Sequence, residues 1–176
     1  MSIRLPALLF TCVAASWASS AAAVEPMIGA ELTWTHIEVA DETFNPPAAR
    51  LRLALALTPD WEIGVAGGTG IDSDDEVGVT AELSEFGEAY VRYSASLDDN
   101  ARLVLSVGYG ETTLDVQTAL PGYPGAETYS GVVWGVSLQE RLSRHPDWIG
   151  SLDYERWYDD DGLTISTLSY GFRYAF

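Results

Sequence analysis

Three groups of residues in this chain have chemistry to offer. The first is His36 with the later stretch Asp72-Ser73-Asp74. A base, a hydroxyl and an orienting carboxylate are the parts of an acyl-transfer site, provided they meet within hydrogen-bond reach. Spacing alone does not bring them together, so no catalytic residue is assigned. His145, the other histidine, precedes Pro146 and reads as a turn residue. The second group is the pair of acidic runs, Asp72-Ser73-Asp74-Asp75-Glu76 and Asp159-Asp160-Asp161-Gly162. Clustered carboxylates suit calcium or magnesium, but neither run has the spacing and terminal glutamate of an EF-hand loop. They read as solvated loops, and no metal or cofactor site is expected. The third group is spread along the chain: Glu31, Arg50, Arg52, Glu62, Glu88, Arg92, Arg102, Asp153, Glu155 and Arg173. These are five acids and five arginines, and all share one parity within their segments. A balanced set of this kind can be buried together, because paired and hydrogen-bonded charges are tolerated where single ones are not. The guanidinium fork can serve several carboxylates at once.

The elements that position these charges are strands. From residue 24 onward the dominant period is two, the signature of a strand with two different faces. Leu51, Leu53, Leu55 and Leu57 oppose Arg50, Arg52, Ala54 and Ala56. The same alternation runs through Ile28–Trp34, Trp61–Val65, Ala89–Ala95, Leu103–Tyr109, Val132–Leu138, Trp148–Tyr154 and Leu168–Phe176, eight stretches in all. Connectors alternate between short and long. Thr58-Pro59-Asp60, Leu97-Asp98-Asp99-Asn100 and Ser143-Arg144-His145-Pro146-Asp147 are tight. Longer or more polar links are expected near 40–48, 70–85, 114–128 and 159–162. Short turns on one side and long loops on the other predict an all-β, eight-stranded antiparallel up-and-down transmembrane β-barrel.

Sidedness separates this from a soluble barrel. An eight-stranded interior is just wide enough for side chains or one small ligand. It cannot take the leucine, tryptophan and tyrosine stripes of all eight strands, so those stripes must face outward. The opposite face carries Gly, Ala, Ser, Thr and the charges above. Trp61, Trp148, Tyr174 and Phe176 at short-turn ends, and Trp34, Tyr109, Tyr129 and Tyr158 towards long-loop ends, match interfacial aromatic belts.

Residues 1–23 read as a cleaved signal peptide: an early Arg4, an apolar stretch from Leu5 to Ala15, and Ala21-Ala22-Ala23 as the small-residue cleavage site. The barrel domain is then 24–176. The only cysteine, Cys12, falls in that leader, so no disulfide is available to the mature chain. The formal charge is −17, with 26 acids against 9 bases, all arginine. That balance excludes a nucleic-acid partner, which needs a basic footprint.

The end of the chain, Tyr170-Gly171-Phe172-Arg173-Tyr174-Ala175-Phe176, resembles the signal by which outer-membrane barrels are recognised for insertion, with Tyr170, Phe172, Tyr174 and Phe176 as its aromatic positions. The mature chain resembles the small eight-stranded outer-membrane family, the OmpA/OmpX-type or outer membrane protein beta-barrel domain group. The resemblance implies a cell outer-membrane location in a Gram-negative envelope after export to the periplasm. It implies outer-membrane lipid, lipopolysaccharide and the barrel-insertion machinery as partners, and a monomer. It implies function weakly. The reading is a structural or surface-interaction protein with an interior plugged by the Arg/Glu/Asp network, and not an enzyme. The alternatives are a lipid A-modifying enzyme and a small pore. The chain lacks the wider pattern of the lipid A palmitoyltransferase and the His-x-Ser arrangement of the lipid A deacylase.

Overall fold

The computed structural model describes residues 24–39, 42–76, 79–118, 125–160 and 162–176. The leader expected over 1–23, residues 119–124 of the link expected near 114–128, and Asp161 lie outside the described residues. Eight long strands form the staves: β1 (Glu25–Val39), β3 (Pro47–Ala56), β4 (Trp61–Gly70), β6 (Val79–Ser96), β7 (Ala101–Thr118), β8 (Ala126–Leu142), β9 (His145–Asp160) and β10 (Leu163–Ala175). Two short strands, β2 (Glu42–Phe44) and β5 (Asp74–Glu76), lie where the sequence predicts only loop. Each stave pairs antiparallel with its neighbours, and β10 returns to β1 from Met27–Ala175 up to Val39–Leu163. The Phe176 backbone N–H donates to the Pro26 carbonyl at 3.0 Å, completing the seam. Closure gives every stave a partner on both sides, the condition for crossing hydrocarbon with strands.

The tight turns are fixed by side chains. Thr58 Oγ1 accepts from the Trp61 backbone N–H at 3.0 Å. Asp98 Oδ1 accepts from those of Asn100 and Ala101 at 2.8 and 2.7 Å, which holds its carboxyl below the usual aspartate range. Such caps make short reversals cheap to order. At the opposite end, Gly162 takes φ 79° between β9 and β10, a left-handed conformation that glycine adopts without strain.

All eight predicted alternations keep their parity. Leu32, Leu51, Leu105, Val132 and Tyr170 point outward and are about half exposed. The inner face is stacked in three layers. At the short-turn end Met27, Ala54, Tyr90, Ile149 and Ala175 pack together. The buried charges fill the middle. Above them Ile37, Phe44, Leu83, Phe86, Leu114, Trp157 and Ile165 form a second apolar cluster.

That upper cluster corrects the expectation of a small-residue and charged interior throughout. Ile37, Leu114, Trp157, Leu163 and Ile165 keep the inward parity of their staves beyond the stretches read from the sequence, and a bulge, which changes which residues face inward, adds others. A shift between Leu83 and Glu85 brings Ala81 and Leu83 inside although Phe86, Glu88 and Tyr90 continue on the other parity. A second shift, on β9 between Ile165 and Ser166 of its partner, sets Tyr158 opposite the inward-facing Ile165, so that Trp157 and Tyr158 both pack on the inner cluster. The aromatic belt is also corrected at its upper edge. Trp34 and Tyr109 face outward, but Tyr129 and Tyr158 are half-buried against the inner cluster. At the lower edge Trp61 stacks with Tyr93 at 5.1 Å and Trp148 with Tyr174 at 5.3 Å, as interfacial aromatics should.

Candidate functional site

The charge layer is assembled by register. Glu31 of β1 pairs with Arg50 of β3, and Gly29 with Arg52 one step below. Glu88 enters from β6; Asp153 and Glu155 enter from β9. Arg50 Nε donates to Glu31 Oε2 at 2.6 Å, and its Nη1 meets Glu155. Arg52 donates to Glu31 Oε1 at 2.9 Å, Glu155 Oε1 at 3.1 Å and Glu88 Oε1 at 3.3 Å. Arg92 donates to Asp153 Oδ1 at 2.8 Å and Glu155 Oε1 at 3.2 Å. Lower down, Arg173 Nη2 donates to Glu62 Oε1 at 2.6 Å. The side chains of Arg50, Arg52, Arg92, Glu31 and Asp153 are fully buried.

Nine of the ten predicted charges therefore lie in this interior, and the tenth does not. Arg102 is only half-buried at the short-turn mouth, where its Nη1 donates to the Pro59 carbonyl at 2.5 Å. Its position one residue after the start of β7 is the reason: the side chain shares the inward parity but not the depth. It ties two turns together instead.

Neutral residues complete the layer. Tyr90 donates to Glu62 at 3.1 Å and lies under the guanidinium groups of Arg52 (4.7 Å) and Arg92 (5.0 Å). Ser137 donates to Asp153 at 2.5 Å, and Ser169 accepts from Arg50 at 3.2 Å. Tyr90 is a large ring at a level otherwise held by charges and small residues. It fits because it faces Gly64 and Gly108 on the neighbouring staves; a Cβ at Gly64 would overlap its hydroxyl. Its inward parity is visible in the sequence, but its glycine partners appear only once register is known.

The outer-end residues fall elsewhere. His36 lies above Trp34, beyond the apolar wall. Its Nδ1 is bonded to Asn45 Oδ1 at 2.9 Å and its Nε2 to Glu38 at 3.0 Å, so both ring nitrogens are occupied and neither is bonded to Ser73. Asp72 accepts from the Ser73 backbone, Asp74 from the Asn45 backbone at 2.6 Å, and Asp75 from the Thr80 hydroxyl. These carboxylates staple loops. Among the described residues no group of three or more His, Cys, Asp or Glu is poised for a metal ion.

The Asn45 contact, and then the Glu38 contact, raise the His36 pKa above the ordinary histidine value. A folded-state pKa above the unfolded one gives stability that is complete below the unfolded pKa and disappears as pH rises through the folded pKa. A proton NMR titration of the ring is expected to show a midpoint above 6.5 that falls in Asn45→Ala. An unchanged midpoint in that variant would remove the assignment.

A closed eight-stave barrel with an apolar outer wall and a buried charged interior has the architecture of a small outer-membrane β-barrel. No family model and no curated protein matches the chain. Among solved structures it is similar to the attachment invasion locus protein Ail of Yersinia pestis in complex with the heparin analogue sucrose octasulfate. The TM-score is 0.64 at 15% identity, over 87% of this chain and 99% of that one. It is also similar to Neisserial surface protein A (0.62, 13%, 86% and 97%) and to the N-terminal β-barrel domain of Pseudomonas aeruginosa OprF (0.52, 14%, 83% and 97%). At these identities the likeness is one of fold, and the fold is the one the sequence predicts.

Proposed function

We propose that the chain is an integral protein of the Gram-negative outer membrane with a structural or surface-interaction role, not an enzyme, and that its interior is a plug. The observation that carries the plug is the layering: a buried ion-pair network with an apolar cluster on each side of it. Apolar layers offer a passing ion no polar ligands, and the guanidinium groups are already engaged by carboxylates. The role then falls to the outer ends of the staves and their loops. Several staves continue beyond the apolar wall; Glu111 and Glu127 follow Tyr109 and precede Val132 on the exposed outer ends of β7 and β8. The partners proposed are outer-membrane lipid and lipopolysaccharide around the wall, and the insertion machinery at Tyr170, Phe172, Tyr174 and Phe176. The barrel is read as a monomer, with the short turns and both termini on the periplasmic side.

Planar-bilayer recording tests the plug. The refolded barrel is expected to add no discrete conductance steps. Steady unitary steps that persist in independent preparations would replace the plug with a pore. A lipid A mass spectrum from cells with and without the protein addresses the enzymatic alternative, and is expected to be unchanged.

A further inference from the structure

The described residues do not fill the interior above the charge layer to the top. At the long-loop end it opens into a cavity of about 590 Å³. That is within the roughly 300–1,000 Å³ range of small-ligand sites. Ile37, Phe44, Ala81, Leu114 and Leu163 give it apolar walls. Beneath, the edge-on pair Phe86–Trp157, with centroids 5.3 Å apart, belongs to the same apolar cluster. On one side stand the rings of Tyr129 and Tyr158, 5.1 Å apart and tilted by 54°. The Tyr129 hydroxyl donates to Glu127 Oε2 at 2.5 Å, which holds that carboxylate beside the ring. Glu42 and Asp160 add two further carboxylates to the lining, and among the described residues no arginine lines the cavity.

These features select among apolar ligands. A fatty acid or an alkyl sulfate would bring its anion against Glu42 and Glu127, an unfavourable encounter. A neutral hydrocarbon gains nothing here that bulk lipid does not offer. An alkyl chain ending in an ammonium keeps the burial of the chain and adds two gains that bulk lipid lacks: charge attraction, and the faces of two tyrosines, which favour cations and quaternary ammonium groups in particular. We propose that this outer cup is a binding site for a single-chain cationic amphiphile, with its alkyl chain among Ile37, Phe44 and Leu114 and its ammonium between the two tyrosines and the two glutamates. Because the charge layer lies below, the site holds its ligand and does not conduct it. Binding itself does not depend on the barrel being ion-tight.

The test uses the barrel in zwitterionic lipid nanodiscs, titrated with octyltrimethylammonium below its micelle concentration and followed by amide NMR. Saturable shifts are expected at Ala81, Leu114 and Tyr129. Octyl sulfate should bind at least tenfold more weakly, and tetramethylammonium, which lacks the chain, should not saturate. Glu42→Gln with Glu127→Gln, both at exposed positions, should weaken octyltrimethylammonium at least about fivefold, the scale of one to two near-surface charge contacts. Ala81→Trp should abolish the shifts by filling the cup; the unheated gel mobility reports that this variant is folded, and a misfolded one is replaced by Ala81→Leu. Equal affinity for the sulfate and the ammonium, or shifts spread along the outer wall, would overturn the proposal. So would a folded Glu42→Gln/Glu127→Gln variant with undiminished affinity. Each of these can occur whether or not the bilayer recordings show conductance.

Discussion

Arg52→Met lowers the unfolding free energy of the membrane-inserted barrel by about 3–5 kcal/mol, the usual cost of removing one partner from a buried ion network. The side chain keeps most of its volume, so the loss is electrostatic rather than a cavity. Arg52 serves Glu31, Glu155 and Glu88 together and rests on Tyr90. Around it four carboxyl groups (Glu31, Glu88, Asp153 and Glu155) share three guanidinium groups, those of Arg50, Arg52 and Arg92. Taking an arginine from this set worsens an existing imbalance. Taking a carboxyl reduces it, and Glu88 is the natural choice because its contacts are the longest, 3.3 Å to Arg52 and 3.7 Å to Arg50. Glu88→Gln is therefore expected to cost less than about 1 kcal/mol, within the range of an ordinary neutral hydrogen-bond replacement. Arg102→Ala, at the mouth, is expected to stay within about 0.5 kcal/mol, as for most surface changes. Urea midpoints in lipid vesicles, read by tryptophan fluorescence and by the heat-dependent gel shift, order the three variants. If Arg52→Met and Glu88→Gln cost the same, the network is not limited by its arginines and the layer has been misread.

The distinction between Arg52 and Arg102 marks where the sequence stops being informative. Parity is a local property, set by the pleat, and it survives folding: every charge on the inward parity of an alternating segment does point inward. Depth along the barrel is not local. It depends on stagger between staves, and Arg102 and Arg52 look alike until β7 and β3 are placed relative to their turns. Part of the upper apolar cluster was hidden for a related reason. Leu83 reaches the interior through a bulge, where one inserted residue reverses the parity on which the whole reading rests, and a shift opposite Ile165 turns Tyr158 inward beside Trp157. Tyr129 and Tyr158 then lie on the inside of the mouth, although their residue types and chain positions suit an outer belt equally well. By contrast the outer wall was legible in full, because a repeated Leu-x-Leu-x-Leu stripe has one consistent interpretation in an eight-stranded barrel. Proximity of His36 to Ser73 was never decidable from spacing. Asn45, on the short link between β2 and β3, captures one ring nitrogen and Glu38 the other.

The membrane assignment makes the second large prediction, and it is one in which the two barrel types differ in outcome. Val107 is 54% exposed and lies near the middle of the outward run Leu103, Leu105, Val107, Tyr109 on β7, with Val91 and Trp134 as its cross-strand neighbours. In water, Val107→Arg at a half-exposed strand position would change stability by no more than about 0.5 kcal/mol. In a bilayer the same arginine faces hydrocarbon near the midplane, where the cost is about 2–4 kcal/mol. The cost falls towards the interfaces, where a long side chain can reach the headgroups. Leu103→Arg, two pleats nearer the short turns, should therefore lose less than Val107→Arg by 1 kcal/mol or more, on the order of the depth dependence of such substitutions. The measurement is reversible unfolding of both variants from vesicles, with the same pair examined in detergent as a check that neither change disturbs the inner face. A graded loss, large at Val107 and small at Leu103, is what an apolar wall matched to hydrocarbon requires. Equal and negligible losses would mean that the wall is covered by something other than lipid, and the outward stripes would have to be explained as a protein interface.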